Sequence, residues 1–180
     1  MIMSNDKNEL WDLYDRYKDP TGETWERGSH EAIPRGRYHL IVSIWTMTPE
    51  GRILITRRHG DKSFGGMWEN TGGAVIAGES SLQAAYRELA EEIGLKPGRR
   101  ELIYLGDLWH PGSIVDTYMY VTDVDVGSLK LQEEEVVDAR LATSADIEAI
   151  HAAGDMVPSV YKTFQCYRND MKSVLGIDAI

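Results

Sequence analysis

Cysteine and long apolar segments are nearly missing from this sequence. Its 180 residues contain one cysteine, Cys166, which excludes an internal disulfide and is typical of a reducing cytoplasm. No apolar run is long enough to cross a bilayer. Residues 1–15 are too polar and acidic for a signal or transit peptide. We therefore expect a cytoplasmic protein without a membrane partner.

Basic residues are fewer than acidic residues in this sequence. Lys and Arg number 19 against 29 Asp and Glu, which gives a net charge of −10. A protein of this charge repels nucleic acid and anionic membranes, so we expect neither as a partner. An anionic substrate would have to be held by local cations or a bound metal ion rather than by the overall field.

Length and composition indicate one globular domain. A chain of 180 residues can bury one sizeable core, and 42 % hydrophobic with 27 % charged residues is ordinary for such a domain. We see no internal repeat, low-complexity tract or linker. We expect a single domain over 1–180, with an N-terminal β-hairpin extension over 1–30 and C-terminal helices within 144–171. The sequence leaves a homodimer open.

Strands interleaved with a few helices are predicted along the chain, which indicates an α/β layered domain. The turn at 48–51 joins two of the strands, so a hairpin is expected there. The predicted strands cover 10–15, 24–27, 38–47, 52–57, 68–75, 102–108, 115–121 and 136–141, and the C-terminal helices cover 144–153 and 159–171.

The most informative segment runs from residue 73 to residue 95 and reads GAVIAGESSLQAAYRELAEEIGL. Its fixed residues are Gly73, Glu79, Arg87, Glu88, Glu91, Glu92 and Gly94. At roughly 6 % per residue type, such a set at fixed spacing arises by chance about once in a million chains or less often. The pattern is therefore specific, whereas an isolated Glu-rich helix is usually a solvated face.

Most of this segment reads as a helix with an acidic face. Ser80 and Gln83 form a capping-box pattern at its start. The expected apolar stripe is Leu82, Ala85, Tyr86, Leu89 and Ile93. Glu88, Glu91 and Glu92 stand at i, i+3 and i+4 on a face away from that stripe. Because like charges at this spacing destabilise a helix, we expect a cation there, and carboxylate oxygens suit Mg²⁺ or Mn²⁺.

The segment resembles the Nudix box, with every fixed position filled. The resemblance implies the Nudix fold, a mixed β-sheet sandwiched between α-helices, with Mg²⁺ or Mn²⁺ as cofactor. By the family's pattern, Glu91 and Glu92 are metal ligands and Glu88 is a ligand or the base. The backbone carbonyl of Gly72 is a further ligand. Arg87, one residue off the acidic face, is expected to orient one of the glutamates.

Residues outside the box complete the predicted site. Glu135 is a candidate general base, because a late acidic residue often serves in Nudix enzymes, and a solvated acidic turn is the alternative. Arg57, Arg58 and Lys62 lie at the end of a strand and in the loop after it, where they can grip phosphates or remain surface residues. Trp68 can stack on a substrate base or pack in the core.

A second resemblance gives an alternative function. Three motifs look like the type I isopentenyl-diphosphate isomerases, a branch of the same superfamily: HxxxSxW at 39–45, GRILITRR at 51–58 and GxWxNT at 66–71, where x is any residue. Those enzymes need a cysteine at the position of Gly72. They also need paired acidic residues, of which Asp116 matches one and Tyr118 replaces the other.

We therefore expect a metal-dependent hydrolase that cleaves a phosphoanhydride bond. Its substrate would be a nucleoside diphosphate linked to another group, or a related organic diphosphate, since such cleavage needs positioning, charge neutralisation and an activated water. One alternative is an isopentenyl-diphosphate isomerase-like enzyme. The other is a catalytically silent Nudix sensor or binding module, which the retained glutamates disfavour.

Overall fold

The computed structural model describes residues 9–176, which contain nine strands and three α-helices. Residues 1–8 of the predicted N-terminal extension lie outside this part of the chain. The predicted elements are found in the predicted order, with ends shifted by a few residues and one strand divided in two. They are β1 (Leu10–Tyr14), β2 (Pro20–Glu26), β3 (His39–Met47), β4 (Ile53–Arg58), β5 (Trp68–Glu69), β6 (Thr71–Ala74), α1 (Ser81–Glu92), β7 (Leu102–His110), β8 (Ser113–Val121), β9 (Val136–Ala142), α2 (Ser144–Ala152) and α3 (Pro158–Leu175).

Strand β3 lies at the centre of a seven-stranded mixed sheet. It pairs in parallel with β8 over its whole length and antiparallel with β6. β7 pairs antiparallel with β8 at one edge. β4 pairs antiparallel with β5 and with β9. The sheet therefore has two parts, β6-β3-β8-β7 and β5-β4-β9.

The hairpin predicted between β3 and β4 closes only at its base. Met47 and Ile53 are the one register pair between the two strands, beside a turn in which Gly51 has a φ of 84°. Beyond that pair, β4 forms hydrogen bonds with β9 and β5, whereas β3 forms hydrogen bonds with β6. Turn residues predict the reversal of the chain, but the neighbours of each strand depend on segments far away in sequence.

The single strand predicted at 68–75 is two short strands with different neighbours. β5 pairs with β4 through Trp68 and Glu69, and β6 pairs with β3 from Thr71 onwards. Asn70 lies between them, where the chain passes from one part of the sheet to the other. Because side chains alternate along a strand, this change of partner decides which residues of the segment face the same space.

Helices cover both faces of the sheet, as the sequence predicted. Leu40, Val42 and Ile44 of β3 pack with α1, whereas Trp45 and Met47 pack with α2 and α3. This alternation follows from the two-residue period of a strand that is buried on both faces. No helix in the described part of the chain is long and apolar enough to span a membrane.

Helix α1 begins as predicted but buries a different stripe. Ser80 and Gln83 form the capping box, and Gly94 follows the helix with a φ of 75°. Leu82 is exposed and Tyr86 is half-buried, so the predicted stripe is wrong at these two positions. The buried apolar residues are Ala84, Ala85, Leu89 and Ile93. The buried face is wider on the glutamate side of the helix than predicted, and two of the box glutamates are buried as a result.

Several contacts fasten the N-terminal hairpin of β1 and β2 to the rest of the fold, including a backbone bridge between Tyr14 and Tyr38. Near its turn, Lys18 forms ion pairs with the buried Asp116 and, at 3.0 Å, with Asp107. From the loop before α1, the Gly78 amide donates to the carboxylate of Asp12, in the middle of β1, at 2.7 Å. The hairpin therefore holds the loop that leads into α1.

Candidate active site

A cleft of about 600 Å³ opens between β6, the start of α3, the base of the N-terminal hairpin and the polar end of α1. This volume lies within the range of small-molecule sites. The box residues Arg87, Glu88, Glu91 and Glu92 line one wall. The cleft is therefore the candidate active site.

Two box glutamates point inward from α1. Glu88 is 9 % exposed and Glu92 is 5 % exposed. The Glu88 carboxylate occupies the space that a side chain at position 73 would fill, because a Cβ on Gly73 would lie 2.2 Å from Glu88 Oε1. The Gly72 amide donates to Glu92 Oε2 at 3.3 Å. Gly73 therefore lets the Glu88 carboxylate approach the sheet.

Arg87 contacts three carboxylates of the box. Its guanidinium lies 3.0 Å from Glu79, 2.7 Å from Glu88 and 3.2 Å from Glu91. It also donates to the carbonyl of Ala74 at 3.0 Å. These contacts fix the side chains of Glu79 and Glu88 between α1 and β6, whereas Glu91 remains largely exposed.

The cleft concentrates negative charge where water is scarce. Burial raises the pKa of Glu92 well above its ordinary value, and repulsion by Glu88 and Glu69 adds to the effect. Burial also raises the pKa values of Glu88 and Glu69. The neighbouring Arg87 opposes the shift of Glu88, and Arg58 opposes that of Glu69. Carboxylates in this situation are stabilised by a further cation.

The donor set fits a hard divalent cation. The groups available are carboxylate oxygens, which suit Mg²⁺ or Mn²⁺ better than softer metals. Within residues 9–176, no three Asp, Glu, His or Cys side chains already converge on one point, because Arg87 holds Glu88 and Glu91. The ligand roles of Glu88, Glu91, Glu92 and Gly72 stay predictions, and all four residues line the cleft.

Two cations line the same cleft as the box. Arg58 forms a short ion pair with Glu69, and Lys62 does so with Glu135. All four of these residues line the cleft. The structure therefore brings the predicted base Glu135 and two of the predicted phosphate-binding residues to the same cleft as the box.

Arg57 and Trp68 are not brought to the cleft. Arg57 Nε donates to the carbonyl of Gly66 at 2.8 Å, and its guanidinium lies over the Trp68 ring. Trp68 packs in the core, and Arg140 covers it at 4.5 Å. Because side chains alternate along β4, Arg57 and Arg58 point to opposite sides. The predicted contacts of Arg57 and Trp68 with substrate therefore lack support from the geometry.

Several polar residues that line the cleft were not among the predicted site residues. Glu69, Asn70 and Ser43 are buried and line it. Ser43 and Asn70 stand within the motifs of the isomerase resemblance, which is a signal in the sequence. Glu69 carries no such signal, because its position depends on the exchange of strand partners at Asn70.

Comparison with known proteins supports the same assignment. The family model of the NUDIX domain matches residues 37–164. An uncharacterized Nudix hydrolase of Listeria monocytogenes is 35 % identical over 157 residues, covering 83 % of this chain and 89 % of the relative. One of Streptomyces coelicolor is 31 % identical over 167 residues, covering 89 % of this chain and 91 % of the relative.

Solved structures show the same fold. A crystal structure from Deinococcus radiodurans superposes with a TM-score of 0.74 at 22 % identity, covering 88 % of this chain and 99 % of the other. The NUDIX domain of NrtR from Shewanella oneidensis, solved with ADP ribose, gives a TM-score of 0.61 at 18 % identity, covering 82 % and 94 %. Together with the intact box on the wall of the cleft, these matches show that the chain belongs to the Nudix hydrolase family.

Proposed function

We propose that this protein is a metal-dependent hydrolase of a phosphoanhydride bond, in a nucleoside diphosphate linked to another group or in a related organic diphosphate. The observation that carries the proposal is the arrangement of charges in the cleft. The buried carboxylates of α1 line the same cleft as the cations Arg58 and Lys62. A diphosphate needs both, since cations bind its oxygens and carboxylates hold a metal and activate water.

The side chains have separable tasks in this reaction. The oxygen of water forms a bond to phosphorus, the bond to the bridging oxygen breaks, and one water proton passes to a carboxylate. Glu135 and Glu88 are the two candidates for that carboxylate, and both line the cleft. Arg58 and Lys62 stabilise the departing phosphate, while Arg87 keeps Glu88 in place. Mg²⁺ or Mn²⁺, held by Glu88, Glu91, Glu92 and the Gly72 carbonyl, would neutralise phosphate charge and lower the pKa of water.

The first test is a panel of diphosphates assayed with Mg²⁺ or Mn²⁺ for release of phosphate or of a nucleoside monophosphate. ADP ribose belongs in it, because the Shewanella domain was solved with that compound. We expect turnover of at least one member that depends on the added metal. Turnover of none would contradict the proposal and leave a silent binding module as the explanation.

Glu92→Gln provides the matched test of the site. We expect it to lower kcat at least a hundredfold, about 2.7 kcal/mol in transition-state stabilisation, with the melting temperature preserved or raised. The control is Glu134→Gln, which removes an exposed carboxylate of the acidic turn. Activity of Glu92→Gln within about threefold of the parent would exclude the predicted role.

The isomerase alternative can be tested directly. Asp116, its matching acidic residue, is ion-paired with Lys18 and shares its side of β8 with Ile114 and Tyr118, which pack with α1. We therefore expect no exchange between isopentenyl and dimethylallyl diphosphate, because allylic proton transfer needs an acid and a base at the double bond. Exchange that survives Cys166→Ala would favour the isomerase.

A further inference from the structure

The ion pair between Lys62 and Glu135 joins a proposed phosphate-binding cation to a candidate base, and both residues line the cleft. A carboxylate that is paired with an ammonium ion accepts a proton less readily than a free one. An ammonium ion that is held by a carboxylate is likewise not available to a phosphate oxygen. Neither residue can therefore perform its proposed task until the pair separates.

The backbone of Glu135 is fixed to two elements of the cleft. Its carbonyl accepts from the His59 amide, directly after β4, at 2.8 Å. Its amide donates to the carbonyl of Gln132 at 2.8 Å. The Gln132 amide in turn donates to the carbonyl of Glu92, the last residue of α1, at 2.9 Å. The position of Glu135 relative to the box therefore does not depend on the side chain of Lys62.

Lys62 is the member of the pair that can move. Its ammonium group has three N–H donors and stands at the end of a flexible four-carbon stem. Among the described residues, Glu135 is its one ion-pair partner. Arg58 is held at two points, because its Nε donates to the carbonyl of Ser63 at 2.8 Å and its guanidinium pairs with the buried Glu69. A phosphate in the cleft therefore attracts Lys62 more easily than Arg58.

The other candidate base, Glu88, is held by a cation that is not exchangeable in this way. Arg87 lies 2.7 Å from Glu88 and at the same time 3.0 Å from Glu79. It also donates to the carbonyl of Ala74 at 3.0 Å. A phosphate that attracted Arg87 would have to break all of these contacts. The exchange of a cation between carboxylate and phosphate is therefore expected at Glu135.

We propose that Lys62 exchanges partners during the reaction. Its ammonium group pairs with Glu135 in the free protein and transfers to the diphosphate when substrate binds. The transfer leaves the Glu135 carboxylate free to take one proton of the attacking water. The inference rests on the proposed function and selects Glu135 over Glu88 as the base. Because one lysine serves both partners, the base becomes available when a diphosphate occupies the cleft.

The test measures the binding of methylenediphosphonate, whose bridging CH₂ group cannot be hydrolysed, by titration calorimetry in the presence of Mg²⁺. The proteins compared are the parent, Lys62→Met, Glu135→Gln and the double variant. We expect Glu135→Gln to lower Kd at least about threefold, because the phosphate no longer competes with the carboxylate for Lys62. Lys62→Met should raise Kd in both backgrounds, by at least about threefold more where Glu135 is replaced.

The sign of this coupling decides between an exchanging and a stationary lysine. If Lys62 stayed on Glu135 after the diphosphate had bound, Lys62→Met would act by leaving Glu135 unpaired. Its effect on Kd would then be larger in the parent than in the Glu135→Gln background. That order, or equal effects in the two backgrounds, would overturn the inference.

Two further measurements test the role of each partner separately. With the best substrate of the diphosphate panel, Glu135→Gln should lower kcat at least about a hundredfold, as expected for loss of a general base. A fall of less than about threefold would overturn the assignment of the base to Glu135. Lys62→Arg keeps a cation and should bind methylenediphosphonate within about threefold of the parent. Melting temperatures establish that the variants are folded, and Lys62→Gln replaces Lys62→Met in the cycle if Lys62→Met is unfolded.

The matched control is the exposed ion pair of Arg168 and Glu148, at 3.0 Å, which joins α3 to α2 away from the residues that line the cleft. Arg168→Met and Glu148→Gln change the net charge as the test variants do. We expect each to change Kd by less than about twofold, with no coupling between them. Coupling as large as that of Lys62 and Glu135 would attribute the result to overall charge and would overturn the inference.

The outcomes distinguish this inference from the proposed function. Turnover of a diphosphate together with the wrong sign of coupling would overturn the exchange of Lys62 and leave the hydrolase assignment intact. Turnover of no diphosphate in the panel would contradict the proposed function, and the inference would fall with it.

Discussion

The ion pair between Lys18 and Asp116 gives a quantitative prediction for Lys18→Met. The Asp116 side chain is 3 % exposed, and among the described residues it contacts Lys18 and the hydroxyl of Tyr104, the latter at 3.2 Å. Burial alone would lower the pKa of Lys18, but its hydrogen bonds to Asp116 and Asp107 raise it, so the lysine is charged. Removing it leaves a buried carboxylate with one neutral donor.

The loss of one partner of a buried pair costs about 3–5 kcal/mol. Because Lys18 is about a quarter exposed and Tyr104 remains, we expect the lower end, about 3 kcal/mol in the free energy of unfolding. For a chain of this size, that corresponds to a fall of about 6–12 °C in melting temperature. Urea unfolding with the same slope for parent and variant gives the free energy directly.

Two further variants make this result interpretable. Lys18→Met combined with Asp116→Asn removes the uncompensated charge, so we expect at least half of the lost stability to return. Lys96→Met removes an exposed lysine and should change stability by less than about 0.5 kcal/mol. A loss below about 1 kcal/mol in Lys18→Met would show that the hairpin is not held by this pair.

Three other outcomes are expected. In Gly73→Ala the new Cβ would lie 2.2 Å from Glu88 Oε1, so the Glu88 side chain must move. We expect kcat to fall at least tenfold, about 1.4 kcal/mol in transition-state stabilisation, and the melting temperature to fall by only a few degrees. Mg²⁺ should raise the melting temperature of the parent with increasing concentration but not that of the double variant Glu91→Gln/Glu92→Gln, and an equal response of the two would place the metal elsewhere. Burial, with a contribution from a nearby arginine, lowers the pKa of His39 to about 4. Because the unfolded chain then binds the proton more tightly, stability should fall as the pH drops from about 6.5 to about 4, by at most about 3 kcal/mol, and urea unfolding of His39→Gln should show a smaller fall.

Local signals in the sequence predicted the box well. Ser80 and Gln83 define the start of α1 by contacts three residues apart, and Gly94 fixes its end. Arg87 was expected to orient a glutamate because the two are neighbours on a helix. Features that depend only on residues within one or two turns of each other are readable in this way.

Features that depend on distant segments were not predicted. The exchange of strand partners at Asn70 requires β3 and β4 to diverge, which no residue near Asn70 specifies. Arg57 and Arg58 are equally basic in the sequence, and only the alternation of β4 decides that Arg58 lines the cleft. The contact of Lys62 with Glu135 joins two loops, and the sequence pattern of each is that of a solvated segment.

The fastening of the N-terminal hairpin has a consequence for how the protein is made. Lys18 and Asp116 are 98 residues apart. At a synthesis rate of ~5–20 residues per second, the ribosome produces Asp116 roughly 5–20 s after Lys18. The hairpin can form during that interval. Until Asp116 has been synthesised, however, Lys18 lacks that buried partner. The order of emergence therefore makes this ion pair a late contact of the hairpin, formed after its backbone partners Tyr38 and Ala77 have been synthesised.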